Sequence, residues 1–410
     1  MTPTVLERDS LGWNRPIEGD GKRIRLLTFS TLYPSSNRPT HGIFVETRLR
    51  HLLASGEVES RVIAPVPWFP SAHPRFGDYA KFSAVPKSEV HNGIAVEHPR
   101  YLLLPKVGMT SAPFTLARTA LVAARKLIAS GYDFDAIDAH YFYPDGVAAV
   151  MVGEALGKPV LITARGTDIS LIPRYALPRR MILNAARKCA AMVTVCAALK
   201  DALVALGADP EKISVLRNGV DLELFSPQER SFARAAYGVS RYCLVSVGHL
   251  VERKGHDLVI AALPELPDAE LLIAGTGPEE PRLRALAASM GLTDRVSFLG
   301  SLPQKQLCTL YSAADVLVLA SSREGWPNVL LEAMACGTPV VAAPVWGTPE
   351  VVAAPEAGML MRERSAAGIA EGVKRLRNAG LNRLATRCYA EKFSWDATTR
   401  GQIELLAGMF

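Results

Sequence analysis

The chain has 410 residues, 49% of them hydrophobic and 21% charged, enough apolar material for two compact domains and too much for extended disorder over most of its length. Its formal charge of +6 is uneven: residues 1–225 carry 27 Lys and Arg against 21 Asp and Glu, whereas residues 226–410 carry 19 of each. The excess therefore lies in the first half, which is the half suited to an anionic partner such as a membrane surface, a lipid phosphate or nucleic acid.

In chain order, residues 1–22 lack the charged-then-apolar arrangement of a secretory signal and read as a flexible leader. Residues 24–30, IRLLTFS, make a short apolar strand, followed by the turn-rich YPSSNRPTHG and a helical pattern over residues 43–54. The alternation recurs in RVIAPV, in DFDAIDAHYFYPDGVAAVMVGEAL, in PVLITARGTD and in AAMVTVCAALKDALVAL. Apolar strands alternating with helices predict a parallel sheet covered on both faces.

A second series runs through CLVSVGHL, AELLIAGTG, RVSFLG, ADVLVLAS and TPVVAAP, and predicts an independent α/β unit. Between the two lies VLRNGVDLELFSPQER, where Asn218-Gly219 and Pro227 mark a hinge. The expected layout is a first domain over 23–222, a second over 223–390, and a final amphipathic helix over 391–410 that carries Trp395 and packs back on the first domain. No apolar run reaches the roughly 18 residues of a bilayer span. The six cysteines, at 189, 196, 243, 308, 336 and 388, have no paired short spacing and several sit in apolar runs. They read as reduced, buried thiols of a cytoplasmic protein, neither a disulfide framework nor a zinc site.

The strongest chemical signal is ADVLVLASSREGWPNVLLEAMACGTPVVAAP. A strand there ends in a loop holding Glu324 and Gly325, and the helix beginning near Pro327 and Asn328 carries Glu332. Ligands of open α/β sheets bind beyond the carboxyl ends of strands, and a helix start turns free N–H groups and a positive dipole end toward that crevice. A carboxylate one to two turns into the helix can accept two hydrogen bonds from a vicinal diol. Taken alone, two glutamates more often solvate a helix face.

The motif EGWPNVLLEAMACGTPVV resembles the E-x7-E motif of glycosyltransferase family 4, and VGHLVERKG, AGTGPEEPRL, VSFLGSL, WGTPEVV and RNGVDLELF resemble further family segments in the same order. The resemblance covers nearly the whole chain after the leader, within the bacterial exopolysaccharide and teichuronic-acid-type group 1 enzymes. It implies an α/β fold in the GT-B arrangement, two Rossmann-like domains with parallel sheets facing a central cleft, and transfer of a hexosyl unit from a nucleotide sugar with retention of configuration. By the same resemblance Glu324 lies beside the transferred sugar, Glu332 holds the ribose hydroxyls and Lys254 binds the diphosphate, whose developing charge a fixed cation stabilises. Gly325, Trp326, Asn328 and Val329 fall within the same donor loop and helix, and Gly277 in the turn near base and sugar. Leu299, Ser301 and Leu302 stand where the base meets backbone groups, which separates UDP from other nucleotides only weakly.

Two departures stand out. His249 replaces the family's second diphosphate-binding arginine, and that role either passes to Arg253 or weakens, with His249 itself a phosphate contact or a structural histidine. Arg165, in ITARGTDI, stands where a histidine near the transferred sugar is common; it cannot act as a base, and suits a phosphate or carboxylate on donor or acceptor. In the first half His41-Gly42 lets backbone approach the donor phosphates, His140 of AHYFYPDG is a substrate contact or a satisfied cleft histidine, and Asp168 is a nearby polar contact or a helix cap.

The resemblance requires no protein base, because the departing diphosphate oxygen takes the acceptor's proton, and no metal or other cofactor, because Lys254 and helix dipoles meet the charge. For the acceptor, RYALPRRMILNAARK and YLLLPKVGM combine basic and apolar residues and predict peripheral attachment to the inner face of an anionic membrane and a lipid-linked sugar. The equal alternative is a buried helix with solvated basic residues. Nucleic acid is not an expected partner. The rival functions are a sugar-nucleotide epimerase and a noncatalytic nucleotide-sugar-binding subunit.

Overall fold

The computed structural model describes residues 23–103 and 108–410. The leader and residues 104–107 of the apolar segment YLLLPKVGM lie outside the described residues. The first unit carries strands β1 (Ile24–Phe29), β2 (Val58–Ile63), β3 (Val66–Pro67), β4 (Ser88–His91), β5 (Ile94–Glu97), β6 (Arg100–Tyr101), β7 (Ala136–His140), β8 (Val160–Ala164), β9 (Ala191–Thr194) and β10 (Ile213–Val215). Its eight-stranded sheet runs β10-β9-β8-β7-β1-β2-β5-β4, with β3 and β6 pairing separately. The second unit carries β11 (Tyr242–Val247), β12 (Ala269–Ala274), β13 (Val296–Gly300), β14 (Val316–Leu319), β15 (Val340–Ala342) and β16 (Gly358–Leu360), in the order β13-β12-β11-β14-β15-β16.

Every residue of β7, β8, β9 and β14 is buried, which is why β8, β9 and β14 read as largely apolar runs instead of alternating ones, while β7 carries the buried Asp138 and His140. The sheets are parallel as expected, except that β4 runs antiparallel to β5. The two are joined at Asn92-Gly93, both at positive φ, a tight-hairpin signal that sequence reading passed over.

In each sheet the chain moves outward from a central strand and then returns to that strand's other side. The reversal falls between β1 and β7 in the first sheet and between β11 and β14 in the second. At such points the loops beyond adjacent strands diverge and leave a crevice. The loops after β1, β11 and β14 carry His41, Lys254 and Glu324, and His140 is the last residue of β7.

The final helix, Trp395–Ala407, lies against the helix Ile43–Ala54 of the first unit. Its Ile403 and Leu406 join a buried cluster with Leu26, Leu52, Leu161 and Val193, and Trp395 stacks on His51 with ring centroids 5.2 Å apart. Five of the six cysteines are buried, but Cys388 is exposed, because it falls on the solvent side of an amphipathic helix, Arg383–Glu391. Cys308 and Cys336, distant in sequence, bring their sulfurs within 3.7 Å.

Candidate active site

The second unit builds its side of the cleft from close backbone contacts that only glycine permits. Gly248, just past β11, has φ 150°, and a Cβ there would lie 3.4 Å from Cε of Lys254, so the lysine stem runs directly over the strand end. A Cβ on Gly275 would meet the carbonyl oxygen of Gly248 at 1.9 Å, and one on Gly277 that of Leu250 at 2.3 Å. These contacts draw the loops after β11 and β12 together beneath Lys254. Lys254 Nζ donates to Glu324 Oε1 at 2.5 Å, each side chain being little exposed. The pair places a cation and a carboxylate in one crevice, one from each side of the strand reversal.

Glu332 lies in the helix Asn328–Ala335 and accepts a hydrogen bond from the Tyr311 hydroxyl at 3.0 Å. Burial of the carboxyl raises its pKa to about 7, and the Tyr311 bond opposes the rise. Arg253 and His249 are exposed at the rim, with the Arg253 carbonyl accepting from Ser322 N at 2.8 Å. Ser301 is exposed, while Leu299, Leu302 and Val329 are half-buried and packed on the core, which leaves their backbone for contact. Trp326 has a buried ring. It is 6% exposed and packs against Phe393, so it serves the core and offers a ligand only its backbone.

The first unit faces this crevice at very short range. A Cβ on Gly325 would sit 2.0 Å from the Arg165 carbonyl oxygen, and one on Gly166 would sit 3.1 Å from Gly325 Cα. Arg165 Nη1 donates to Asn218 Oδ1 at 3.1 Å, and Asn218 Nδ2 donates to Asn328 Oδ1 at 3.2 Å, so a linker residue joins both walls. Arg165 Nη2 contacts His140 Nδ1 at 2.9 Å. Because arginine only donates, Nδ1 is the acceptor and the imidazole is neutral, with its proton on Nε2 toward Asp138 Oδ2 at 3.4 Å. Burial lowers the His140 pKa, consistent with that form. Both ring nitrogens are therefore engaged and the residue is 1% exposed. His140 is a satisfied interior histidine that orients Arg165, not a group placed to touch substrate.

Asp168 does not cap the helix Thr167–Ser170, which has no side-chain cap hydrogen bond. It is fully buried and accepts backbone N–H groups from Phe142 at 2.7 Å, Gly166 at 2.7 Å and Arg165 at 3.1 Å, fastening the loops after β7 and β8 to each other. His41 likewise spends its ring on Thr31 O and Arg38, each at 3.1 Å; burial lowers its pKa to about 4, with Arg38 adding to the effect. Gly42, at φ 67°, brings the helix Ile43–Ala54 against the loop after β1, where a Cβ would lie 2.3 Å from the Leu32 carbonyl.

Four further residues shape the site without having been legible as functional. Asp145 accepts from the backbone and hydroxyl of Thr31 and holds the loop after β1. Tyr311 supports Glu332. Gln402 donates to Asp138 and accepts from Arg48. Only Asp145 lay in a segment singled out for its chemistry, and no local pattern marks the others as functional. Among the described residues no group of three or more His, Cys, Asp or Glu could hold a metal ion.

Comparison with known proteins places this geometry in a lineage. Residues 47–224 match the family model described as Glycosyltransferase Family 4, and residues 228–393 match that described as Glycosyl transferases group 1. The chain is 37% identical over 209 residues to a D-inositol 3-phosphate glycosyltransferase of Mycobacteroides abscessus, covering 48% of this chain and 47% of that one. It is 38% identical over 211 residues to the protein of the same name from Segniliparus rotundus, covering 47% and 46%. The chain thus spans about half the length of the curated relatives it matches. Among solved structures it is similar to a sucrose-phosphate synthase from Thermosynechococcus elongatus, with a TM-score of 0.76 at 21% identity over 95% of this chain and 99% of that one. It is also similar to Anabaena HepE in complex with UDP-glucose, with a TM-score of 0.72 at 19% identity over 94% and 100%. One glycosyltransferase family model thus matches each half of the chain, and the two-sheet GT-B architecture is shared along nearly its whole length.

Proposed function

We propose that this protein is a retaining glycosyltransferase that moves a hexosyl unit from a UDP-linked sugar to a sugar acceptor. The observation that carries the reading is the Lys254–Glu324 pair beyond the strand reversal of the second sheet, against the backbone of Arg165 of the first, with Glu332 on the helix that follows the Glu324 loop. Lys254 is placed to stabilise the diphosphate as the sugar leaves, and Glu332 to hold the ribose hydroxyls. Neither His140 nor Arg165 is free to take a proton, so the acceptor's proton passes to the departing diphosphate oxygen on the same face. Catalysis is then positioning and charge stabilisation.

A lipid-linked acceptor at the inner face of the cytoplasmic membrane, in envelope or exopolysaccharide synthesis, fits the surface of the first unit. Met109 and Phe114 of the helix Gly108–Ala129 are exposed, as are Tyr175 and Leu177 at the start of the helix Ala176–Lys188. The Tyr143 hydroxyl bonds the Met109 carbonyl and lies 3.9 Å from Met181 Sδ, tying the two helices together. Arg174, Arg179 and Arg180 are exposed beside them, the mixture that binds an anionic interface. No helix among the described residues is long and apolar enough to cross a membrane. A second acceptor reading, a phosphorylated cyclitol, rests on the name of the matched relatives.

The test is calorimetric titration with UDP and UDP-sugars, followed by transfer assays on undecaprenyl-diphosphate-linked sugars and on inositol phosphate. Lys254→Ala and Glu332→Ala should each weaken donor binding about tenfold or more. Unchanged affinity in both would remove the donor site assignment, and conversion of a UDP-sugar to its isomer would favour an epimerase.

A further inference from the structure

The interior of the first unit holds a polar chain that runs from the last helix to the cleft. Arg48 Nε donates to Gln402 Oε1 at 2.7 Å, Gln402 Nε2 donates to Asp138 Oδ2 at 2.8 Å, and Asp138 faces Nε2 of His140. His140 Nδ1 in turn accepts from Arg165. Arg48, Gln402, Asp138 and His140 are each 2% exposed or less. A buried polar group is costly unless satisfied, and a chain of four such groups fixes its terminal member tightly.

That terminal member is under-compensated. The direct partners of the Arg165 guanidinium, His140 and Asn218, are neutral, and its Nε has no hydrogen-bond partner among the described residues. Two guanidiniums, Arg48 and Arg165, lie near one carboxylate, Asp138, whose burial opposes ionisation but whose pKa is held low by the His140 hydrogen bond and the charges of Arg48 and Arg165. The nearby Asp168 directs its oxygens at backbone N–H groups. Burial pushes the Arg165 pKa down to about 9, and Arg48 adds to the fall, as expected where positive charge exceeds negative. The Arg165 carbonyl is what touches Gly325, and its guanidinium reaches the wall between the units through Asn218, which is bonded in turn to Asn328 of the second unit. A neutral side chain would suffice to bond a sugar hydroxyl there. A fixed, partly desolvated cation discriminates by charge.

We propose that Arg165 receives a negatively charged group, a carboxylate or phosphate carried by the transferred sugar or by the acceptor, and that Gln402 is the residue on the last helix that positions it. The assignment rests on the glycosyltransferase reading of the same cleft. It makes the substrate an acidic sugar or polyol on one side of the reaction.

The experiment uses the full chain and two matched pairs of probes: UDP-glucuronate against UDP-glucose as donors, and glucose 6-phosphate against glucose as acceptors. Each affinity or kcat/KM is taken relative to the same variant's affinity for UDP. The parent should prefer the charged member of one pair about tenfold or more, and Arg165→Gln should abolish that preference, with Arg165→Lys restoring part of it. A preference in the donor pair puts the charge on the transferred sugar, and one in the acceptor pair puts it on the acceptor. Gln402→Ala, or Asp138→Asn if the former fails to fold, should reduce the same preference and lower kcat for the charged substrate. No preference in either pair, or a preference that survives in Arg165→Gln, overturns the role of Arg165. A preference lost in Arg165→Gln but intact in Gln402→Ala overturns the positioning role. Failure of the parent to bind UDP counts instead against the reading of the cleft.

Discussion

Glu332 shows how a residue's meaning changes once its surroundings are known. The E-x7-E spacing was legible in the sequence, but the perturbation of its second carboxylate was not, because it comes from burial in the folded unit, which the hydrogen bond from Tyr311, 21 residues away, only partly offsets. With a folded pKa of about 7 against an ordinary 4.5, the unliganded fold favours the protonated form. The sign follows from linkage: that preference contributes stability fully below pH 4.5, and the contribution is lost as pH rises to about 7. Glu332→Gln should therefore gain in melting temperature over the parent as pH rises from 4.5 to 7 and hold that gain above it, as read by thermal unfolding at pH 5 and pH 8. A gap that does not grow between those conditions would place Glu332 in a more polar setting. Donor binding should move oppositely, strengthening through the same interval as the ionised carboxylate becomes available to the ribose hydroxyls.

At the scale of elements, strands and helices were legible because apolar runs and periodicity are local signals, and the helix over residues 43–54 begins and ends where its pattern does. The close approaches were not legible. Gly42 looked like a means of admitting donor phosphates, yet its first consequence is to seat the helix Ile43–Ala54 against Leu32. Its positive φ and the 2.3 Å approach together make Gly42→Ala costly, by about 2 kcal/mol or more, and its melting temperature should fall by several degrees. A variant that melts with the parent would mean that the loop after β1 yields easily.

At the scale of the molecule, the two units meet through single residues in addition to broad packing. Glu350, in the WGTPEVV segment of the second unit, accepts Ala197 N at 2.8 Å at the start of a first-unit helix and receives Arg217 of the linker at 2.6 Å. The ion pair is half-exposed and contributes little by itself, while the carboxylate at a helix start adds a favourable dipole term. Glu350→Ala should loosen closure, seen as a larger radius of gyration by small-angle X-ray scattering without UDP and recovery toward the parent value with UDP. Equal radii in both states would assign closure to the Arg165–Gly325 contact alone.

The sequence by itself determined the two α/β units, the order of their strands along the chain and the carboxylates of the donor loop, because these depend on patterns within some ten to thirty neighbouring residues. Only the tertiary structure decided what the first unit brings to the reaction. His140 became a strut, Asp168 a backbone fastener and Trp326 a core residue once burial and hydrogen bonds were known. Arg165 acquired its orientation from Gln402, more than two hundred residues later, and such a link leaves no trace in local composition. The physical reason is that burial and partnership are properties of contacts made across the fold, and a side chain's charge acts only through those contacts.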